Sequence, residues 1–570
     1  MRRFLYAFLI LTTLTLCQNA ANAAGTLANS RKDGLRTYSI ERTLRLDDDE
    51  IDIGTAALAL SREWGTRKLV NSYRREIDDI AEDILDLMED AHVPADERAI
   101  PVINKHLFKT LKIKAVPTAD DPEDLFLHSV IEKKRGYCLS LSVLYMAVAE
   151  RIGMPVYGVV VPGHFFVRYD DGRTRINIET TSGGATATDG HYREKFKVPE
   201  DENTIYLRNL SNVETLGCFF NNLGNSYLNV GEVENAQWAL ENAVSIAPDL
   251  AEGHTNLGNI YLEKGWPGHA MEQYRIALDI LPTDARTYIN YGHALVADSY
   301  DNRAIELYNT ALEIDPSSTA ALQGLASTYY KKGMVSTAIE KLQAASAINP
   351  DSADIHSQLG EFYRQDNKLN SALFHYRKAV RLDNEHFKSV LGLGMTWLDA
   401  NDLNNALSEL RKAAAIKPDS VDAHMALGLV FARLGRTQDE AAAYRKVLGI
   451  DPSNVSAWAS LGNAYMKTEQ YPRAAESYRS ALEIHPQNAN IIYNLGVTYS
   501  KLEDHESAAD CYLDSLRIDP ELAEAHFNLA VSFYRLANYE QAIAHALNAK
   551  ELGYNIPEDF VKNMRSRVNQ

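Results

Sequence analysis

The sequence predicts a mixed domain of helices and strands, followed by a long all-α array. Three observations lead to this organisation. From residue 217 onward one pattern returns every 34 residues, which is typical of helical repeats. Residues 138–152 carry apolar side chains at helical spacing. Residues 156–180 hold β-branched runs on either side of an Asp171-Gly172 turn, which predicts an antiparallel hairpin.

Composition and charge narrow the classes of partner. The chain has 570 residues, of which 45% are apolar and 24% charged, as is usual for globular domains. Its formal net charge at pH 7 is −19. Nucleic acids and anionic membranes both select basic surfaces, so we expect no nucleic-acid binding and no general attraction to membranes.

Residues 1–23 have the pattern of a secretory signal. Two arginines precede an apolar run, Phe4–Cys17, that is too short to span a bilayer, and Ala21–Ala23 fits a small-residue cleavage site. We therefore expect an exported, periplasmic protein without a membrane span in its mature chain. A lipoprotein cleaved before Cys17 is the alternative, which is weakened because Leu16 stands where a small residue is wanted.

The chain then continues through a polar linker, residues 24–46, into a domain predicted over residues 47–200. Its first part, 47–115, is expected to be helical, because apolar residues recur every three or four positions. The acidic run on the second of these helices is interpreted as a solvated face. The remaining part, 116–200, is expected to hold the reactive cysteine, histidine and acid residues. Residues 201–216 are expected to connect the domain to the array.

Cys138 is predicted to lie in the first turn of a helix. Gly136 permits a sharp entry, and Gly153 followed by Pro155 ends the apolar stripe. The first turn directs unpaired N–H groups and the positive end of the helix dipole at the sulfur. Three basic residues, 133–135, precede it, so the setting favours thiolate over thiol.

His164 and Glu179 are predicted to be neighbours in the hairpin. An antiparallel pair that turns near Asp171-Gly172 would pair positions that add to about 343, which brings these two side chains to one face. Residues 182–190 are rich in glycine and are expected to form a loop, and His191 is interpreted as a loop residue.

The predicted mature chain keeps an odd number of cysteines, namely Cys138, Cys218 and Cys511. At least one thiol must therefore stay outside intramolecular disulfides. Cys218 and Cys511 lie in the first and ninth repeats and are interpreted as small buried hydrophobes on helices.

The array resembles the tetratricopeptide repeat family. A small residue recurs in all ten units, an aromatic follows three positions later in nine, and alanine and proline mark fixed places in most. The resemblance implies ten units over 217–556, wound as a superhelix, with 557–570 as a capping helix. The recurring prolines stand at 248, 282, 316, 350, 418, 452, 486 and 520.

By the same resemblance, the concave face of the array should bind an extended or helical peptide or a protein partner. Asparagine occupies the sixth position of five units and suits hydrogen bonding to main chain, because its amide both donates and accepts. The other interpretation is that asparagine is simply common there. The five are Asn222, Asn256, Asn290, Asn494 and Asn528, with Asn225, Asn259 and Asn463 nearby.

Units six and seven carry apolar residues instead, which form either a patch for a partner or local packing. They are Leu391, Met395, Met425 and Leu429.

The span of about Asp52 to Pro248 resembles bacterial transglutaminase-like proteins whose domain runs into tetratricopeptide units. The matching segments are Val130–Tyr145, with its Arg-Gly-Tyr-Cys core, Glu150–Pro155, Pro162–Phe165 and Tyr206–Ser211. The resemblance implies a papain-like α+β fold with N-terminal helices, and a possible cysteine peptidase or acyltransferase.

Carried onto this sequence, the resemblance makes Cys138 the nucleophile, His164 its base and Glu179 the residue that holds the imidazole. The family has aspartate in the third place, so Asn177 is an alternative third member. Cys138 could also be only a buried thiol, His164 a strand-edge residue, and Glu179 the ion-pair partner of a neighbouring arginine.

Two functions therefore stay open. One is an exported enzyme that hydrolyses or transfers amide bonds in peptides. The other is a scaffold whose transglutaminase-like domain binds without catalysis. The sequence contains no metal-ligand spacing and no phosphate-binding loop, so no metal or cofactor is expected.

Overall fold

The structure, a computed structural model, describes residues 40–60, 67–117, 121–199 and 204–568. Contacts divide the chain into two compact units at Thr328, and each is described by itself. The predicted signal segment and most of the predicted linker lie outside the described residues. In its order of elements the chain confirms the predicted fold class, a domain of helices and a small sheet followed by helices alone.

The first unit begins with helices α1 (Ile40–Thr43), α2 (Ile53–Leu60), α3 (Arg67–Asp90) and α4 (Ile100–Asn104), the last continuing as a π-helical turn. Helix α3 buries Ile77 and Ile84 and turns most of its carboxylates outward, as the solvated-face interpretation expects. Buried Arg151 ties the helices together through Asp52, at 3.1 Å, and Asp78, at 2.5 Å.

Helices α5 (Leu127–Lys133) and α6 (Cys138–Arg151) meet at a sharp bend. Lys134 ends α5 in a left-handed conformation with φ 53°. The bend also carries a two-strand parallel pair, β1 (Lys114–Ala115) and β2 (Arg135–Gly136). A Cβ on Gly136 would lie 2.8 Å from Val130 Cγ2, so close approach requires glycine here. Cys138 accordingly opens α6, as predicted.

The main sheet is antiparallel, in the order β3 (Val156–Val161), β4 (His164–Asp170), β5 (Arg175–Glu179) and β6 (Ala185–Ala187). Strands β4 and β5 pair so that facing positions add to 345, as in Arg168 with Asn177. Residues 171–174 join the strands, so the predicted turn near Asp171-Gly172 lies there, and the predicted pairing is off by two positions. His164 and Glu179 still share one face, because a shift of two positions keeps every side chain on its side.

The predicted loop over residues 182–190 is also wrong. Strand β6 lies within it, and helix α7 (Asp189–Phe196) begins at its end. Thr188 caps α7 by accepting a hydrogen bond from the His191 backbone at 3.2 Å, so His191 is a helix residue.

The repeats of the first unit share a core with the sheet domain. Buried side chains form one continuous cluster from Ile40 to Ile260, and Phe126 meets Phe219 with ring centroids 6.4 Å apart. The helices here are α8 (Asn212–Asn229), α9 (Val233–Ile246), α10 (Ala251–Glu263), α11 (Pro267–Ile280), α12 (Ala285–Ala297), α13 (Asp301–Ile314) and α14 (Thr319–Lys331), which carries the boundary.

Backbone contacts fix α8 against strand β3. The Leu210 N–H donates to Gly158 O at 2.9 Å, and Asn212 Nδ2 donates to Ile51 O at 2.9 Å. A Cβ on Gly158 would lie 2.8 Å from Thr215 Oγ1, so only glycine lets the strand and helix approach this closely. The first repeat is therefore held rigidly beside the sheet.

The second unit continues the helix pairs. Most of the recurring glycines of this unit pack against a tyrosine on the paired helix: a Cβ on Gly428 would lie 2.5 Å from a Tyr444 ring carbon. Met564 of the last helix is fully buried against the final pair. The helices are α15 (Val335–Ile348), α16 (Ala353–Gln365), α17 (Leu369–Leu382), α18 (Phe387–Asp399), α19 (Leu403–Ile416), α20 (Val421–Arg433), α21 (Thr437–Ile450), α22 (Val455–Lys467), α23 (Tyr471–Ile484), α24 (Ala489–Lys501), α25 (His505–Ile518), α26 (Ala523–Arg535), α27 (Tyr539–Glu551) and α28 (Glu558–Val568).

Among the described helices, none combines the length and the apolar character that crossing a membrane would need.

Candidate active site

The structure brings three predicted residues together. Cys138 is the first residue of α6, His164 the first of β4 and Glu179 the last of β5. The His164 imidazole and the Glu179 carboxylate are hydrogen-bonded, with 2.7 Å between Nε2 and Oε2. Each side chain of this pair is 13% exposed, so water screens the contact little.

The Glu179 carboxylate is fixed by further donors. Its Oε1 accepts from the Thr181 hydroxyl at 2.6 Å and from the Thr181 N–H at 3.2 Å, and its Oε2 accepts from the Tyr192 hydroxyl at 3.2 Å. Burial alone would raise the pKa of Glu179, but the hydrogen bonds from His164 and Thr181 lower it below its usual value. Glu179 is therefore held as a carboxylate oriented towards the imidazole.

The His164 ring lies between Glu179 and Cys138. Nε2 faces the carboxylate, and Cys138 lines the same cavity as the ring. Burial alone would lower the pKa of His164, but the neighbouring Cys138 side chain and the hydrogen-bonded Glu179 carboxylate raise it to about 9. The imidazole is thus protonated at neutral pH.

Groups at the start of α6 surround the sulfur. The Tyr137 hydroxyl contacts Cys138, and burial followed by this neighbour raises the pKa of Tyr137 to about 12. The backbone N–H of Tyr137 is occupied by Ser140 Oγ at 2.9 Å, whereas the following first-turn N–H groups have no intrahelical acceptor. Such N–H groups can stabilise an oxyanion that forms on a carbonyl next to the sulfur.

Helix α7 supplies an aromatic shelf that sequence reasoning missed. The Phe196 ring stacks on His164 with centroids 4.9 Å apart and an angle of 3° between the planes. Tyr192, fully buried, stacks on Phe166 at 3.9 Å and also bonds Glu179. The one available signal was Thr188 followed by an acid, which is a helix N-terminus pattern.

Asn177 does not reach the imidazole. Its Nδ2 donates to Asp189 Oδ1 at 2.7 Å, and its Oδ1 accepts from Arg168 Nε at 2.6 Å. Arg168 is 1% exposed and also pairs with Asp189 at 2.6 Å. The alternative third member thus belongs to a buried ion network, and Glu179 has His164 rather than an arginine as its partner.

A cavity of about 250 Å³ opens beside Cys138 and His164. Its other wall comes from the first three repeats and includes three of the five predicted groove residues, Asn222, Asn256 and Asn290. Cys218 also lines it. This juxtaposition was not predicted, because nothing in the repeat pattern says which sheet edge the first repeat meets.

The remaining predicted groove residues lie in the second unit. Asn494 lines a separate cavity of about 490 Å³, and Asn528 donates to the Tyr493 hydroxyl at 2.9 Å. In the apolar set, Leu391 and Met395 pack against the core of their repeats, whereas Leu429 is 43% exposed. Within the described residues, no group of three or more His, Cys, Asp or Glu side chains is arranged to hold a metal ion.

Comparison with known proteins matches both regions. Residues 71–216 match the transglutaminase-like superfamily. The chain joins a transglutaminase-like domain to tetratricopeptide repeats. The segments that match tetratricopeptide repeat descriptions are 219–250, 285–318, 326–366, 353–386, 391–455, 462–503 and 489–522.

Individual relatives are distant. A UPF0162 protein of Xylella fastidiosa (strain 9a5c) is 26% identical over 217 residues, which span 36% of this chain and 76% of that protein. F-box only protein 21 of Mus musculus is 37% identical over 49 residues, which span 9% of this chain and 8% of that protein.

Solved structures resemble the repeats. YrrB, described as a TPR protein with an unusual peptide-binding site, has 24% identity and a TM-score of 0.28, covering 33% of this chain and 96% of its own. The pilF protein of Pseudomonas aeruginosa has 20% identity and a TM-score of 0.33, covering 37% of this chain and 96% of its own.

Proposed function

We propose that the transglutaminase-like domain is a cysteine-dependent acyl-transfer enzyme that acts on amide bonds of peptides or proteins. One observation carries the proposal: Cys138, at the start of α6, lines one cavity with His164, whose imidazole is hydrogen-bonded to the Glu179 carboxylate. A nucleophile, a base and a group that orients the base are the parts that covalent acyl transfer needs.

Each residue has a role that follows from its contacts. Cys138 Sγ adds to an amide carbonyl, and first-turn N–H groups of α6 stabilise the oxyanion. His164, protonated at neutral pH, gives its proton to the leaving amine as the C–N bond breaks, which leaves a thioester. His164 then takes a proton from water or from an acceptor amine, which attacks the thioester and releases an acid or a new amide.

A binding protein without catalysis is the second candidate, and one observation favours it. Cys138 is only 5% exposed, so little of its side chain is open to a substrate. In that case the transglutaminase-like domain would hold a peptide or a protein partner beside the repeats, and the buried His164–Glu179 pair would stabilise the fold.

Alkylation of the full chain by iodoacetamide at about pH 6, followed by mass spectrometry, separates the two candidates. For an enzyme we expect Cys138 to react faster than a free model thiol, since the His164 imidazole and the first-turn N–H groups of α6 lie beside it. His164→Ala should abolish that advantage, with Cys218 as the internal control thiol. A Cys138 that reacts no faster than the model thiol in the unaltered protein would favour the binding protein.

We also propose that the protein is exported to the periplasm and that its repeats bind a protein or peptide. The export proposal is supported by the composition of residues 1–23 alone. Its test is fractionation of cells that express the full chain, with the mass of the N-terminal peptide reporting cleavage after Ala23. Recovery of an uncleaved chain in the cytoplasm would overturn it.

A further inference from the structure

The cavity beside Cys138 has two walls of different origin. One wall carries the reactive groups of the transglutaminase-like domain. The other consists of side chains from the first three repeats, which lie side by side on helices α8, α10 and α12. Both walls lie within the first unit, and Gly158 and the Leu210 backbone hold them together. The cavity is therefore a preformed cleft, with chemistry on one side and repeats on the other.

The repeat wall is made of paired asparagine amides. Asn256 Nδ2 donates to Asn221 Oδ1 at 2.9 Å, and Asn290 Nδ2 donates to Asn259 Oδ1 at 2.9 Å. Asn259 Oδ1 also accepts from the Tyr274 hydroxyl at 2.8 Å. All four asparagines line the cleft, and the bond inside each pair orients one amide relative to the other.

Each pair keeps hydrogen-bonding capacity to spare. An amide has two N–H donors and an oxygen with two lone pairs, and the bond inside a pair uses one of each. Within the described part of the chain, the Asn256 oxygen and the Asn221 NH₂ group have no further bond, and the same holds for the Asn290 oxygen and the Asn259 NH₂ group. An acceptor beside a donor complements the C=O and N–H groups of an extended main chain.

The charges of the wall fit an uncharged ligand. Among the repeat residues that line the cleft, Glu252 and Arg286 are the ionisable pair of opposite sign. The Glu252 carboxylate accepts a hydrogen bond from the Tyr206 hydroxyl, and burial raises the pKa of Glu252 above its usual value. Nothing on this wall concentrates one sign of charge, as binding of a phosphate or a strongly charged side chain would require.

We infer that the first three repeats form the substrate-binding wall of the acyl-transfer site and recognise the main chain of an extended, uncharged peptide segment. Asn221, Asn256, Asn259 and Asn290 are the positioning residues, which set the segment so that one of its carbonyl carbons meets Cys138 Sγ. The inference rests on the proposed acyl-transfer function and names its substrate class. The repeats are thus part of the active site rather than only a remote recruiting surface.

Binding to a defined peptide tests the wall without catalysis. The full chain carrying Cys138→Ala is titrated into a fluorescein-labelled ten-residue peptide of alternating alanine and serine, and anisotropy is read. We expect Asn221→Ala with Asn256→Ala to weaken binding about tenfold, since several main-chain hydrogen bonds are lost. The matched control is Asn235→Ala with Asn309→Ala, two exposed asparagines on helices α9 and α13, which should leave binding unchanged.

The same peptide with N-methyl groups at alternate residues tests main-chain recognition without altering the protein. Loss of its N–H donors should weaken binding about tenfold or more. Equal binding of the methylated peptide would overturn the inference, as would equal binding by the Asn221→Ala, Asn256→Ala variant or no binding of the parent peptide.

Hydrolysis of p-nitrophenyl acetate keeps the inference separate from the proposed function. This small ester needs Cys138 and His164 but no repeat wall, so the Asn235→Ala, Asn309→Ala control should hydrolyse it at the unaltered rate, whereas Cys138→Ala should not hydrolyse it. Peptide binding in a protein that lacks Cys138-dependent ester hydrolysis would support the peptide wall and overturn the acyl-transfer function. Ester hydrolysis without peptide binding would do the reverse.

Discussion

Two cysteines line one cavity from opposite sides, and their surroundings differ. Cys138 is 5% exposed and opens helix α6, where it contacts the His164 imidazole. Cys218 is 2% exposed and lies inside helix α8, where burial, with the charges of Glu252 and Glu214, raises its pKa. The two thiols are buried to nearly the same extent, so burial does not distinguish them. They differ in their position along the helix and in the charge of the neighbouring side chains.

We attribute the expected difference in thiol reactivity to the N–H groups and charged side chains that surround each sulfur. A helix start offers free N–H groups, and α6 adds a cationic imidazole held by Glu179. A helix interior offers no free N–H group, and the charges that act on Cys218 are those of the Glu252 and Glu214 carboxylates, with a smaller opposite effect from Arg208. The ratio of alkylation rates of Cys138 and Cys218 in one protein therefore measures how much the site activates its thiol.

The largest effect is expected from removing either thiol in turn. Cys138→Ala should lower the rate of acyl transfer by about 10⁴-fold or more, because it removes the nucleophile beside His164. Cys218→Ala removes a sulfur from the same cavity and should change the rate less than about threefold. The measurement is hydrolysis of p-nitrophenyl acetate by the full chain. Similar losses in both variants would mean that the cavity, not the His164 contact, sustains the reaction.

A smaller effect with a defined pH signature is expected for Glu179→Gln. The rate should fall about 10²- to 10³-fold, because the imidazolium loses its counter-charge. In the unaltered protein His164, with a pKa raised to about 9, keeps its proton through neutral pH and loses it as the pH rises through about 9. Amide hydrolysis needs this proton for the leaving amine, so its rate should fall as the pH rises through about 9. The variant should move this alkaline limb down by about one pH unit or more.

The stability that the His164–Glu179 pair contributes should depend on pH in the same direction as the activity does. A histidine pKa raised above its usual value contributes stability that is complete below that value, about 6.5, and is lost as the pH rises through about 9. Glu179→Gln should remove this dependence between the two values, as read by hydrogen exchange of the β4 and β5 amides. If activity fell at the same alkaline pH in Glu179→Gln as in the unaltered protein, Glu179 would not set the charge of His164.

The predicted site survived an error in the predicted register. The sequence placed the turn near Asp171-Gly172 with paired positions that add to about 343, whereas residues 171–174 join the strands and paired positions add to 345. Asp171 Oδ1 accepts from the backbone N–H groups of Arg173 and Thr174, at 2.8 and 2.6 Å, which stabilises the longer turn. A shift of two keeps the face, so the His164–Glu179 contact was predictable, although its exact pairing was not.

Sequence patterns could place the helix start and the repeats but not the aromatic shelf. Apolar periodicity over 138–152 and the 34-residue period are strong signals, and both elements lie where they were predicted. Strand β6 and helix α7 have few apolar residues in sequence, so periodicity gave no signal for them. The cleft depends on the approach of Gly158 to Thr215, a tertiary contact that no local pattern encodes.

The smallest effect on reactivity, and the sharpest test of the comparison, is expected for Asn177→Ala. Asn177 lies on the same strand as Glu179, two residues away, but its amide bonds the buried Arg168 guanidinium and Asp189. Loss of a hydrogen bond to a buried charge should lower local stability by about 1.5–3 kcal/mol, seen as faster exchange of the β4 and β5 amides.

The alkylation ratio of Cys138 to Cys218 should meanwhile change less than about twofold in Asn177→Ala, with the alkaline limb of activity unmoved. Glu179→Gln is the matched comparison on the same strand, and there both readouts should shift. If Asn177→Ala moved the limb as far as Glu179→Gln does, the imidazole would be oriented by the whole Arg168 network. Activation of Cys138 would then be a property of the sheet rather than of one carboxylate.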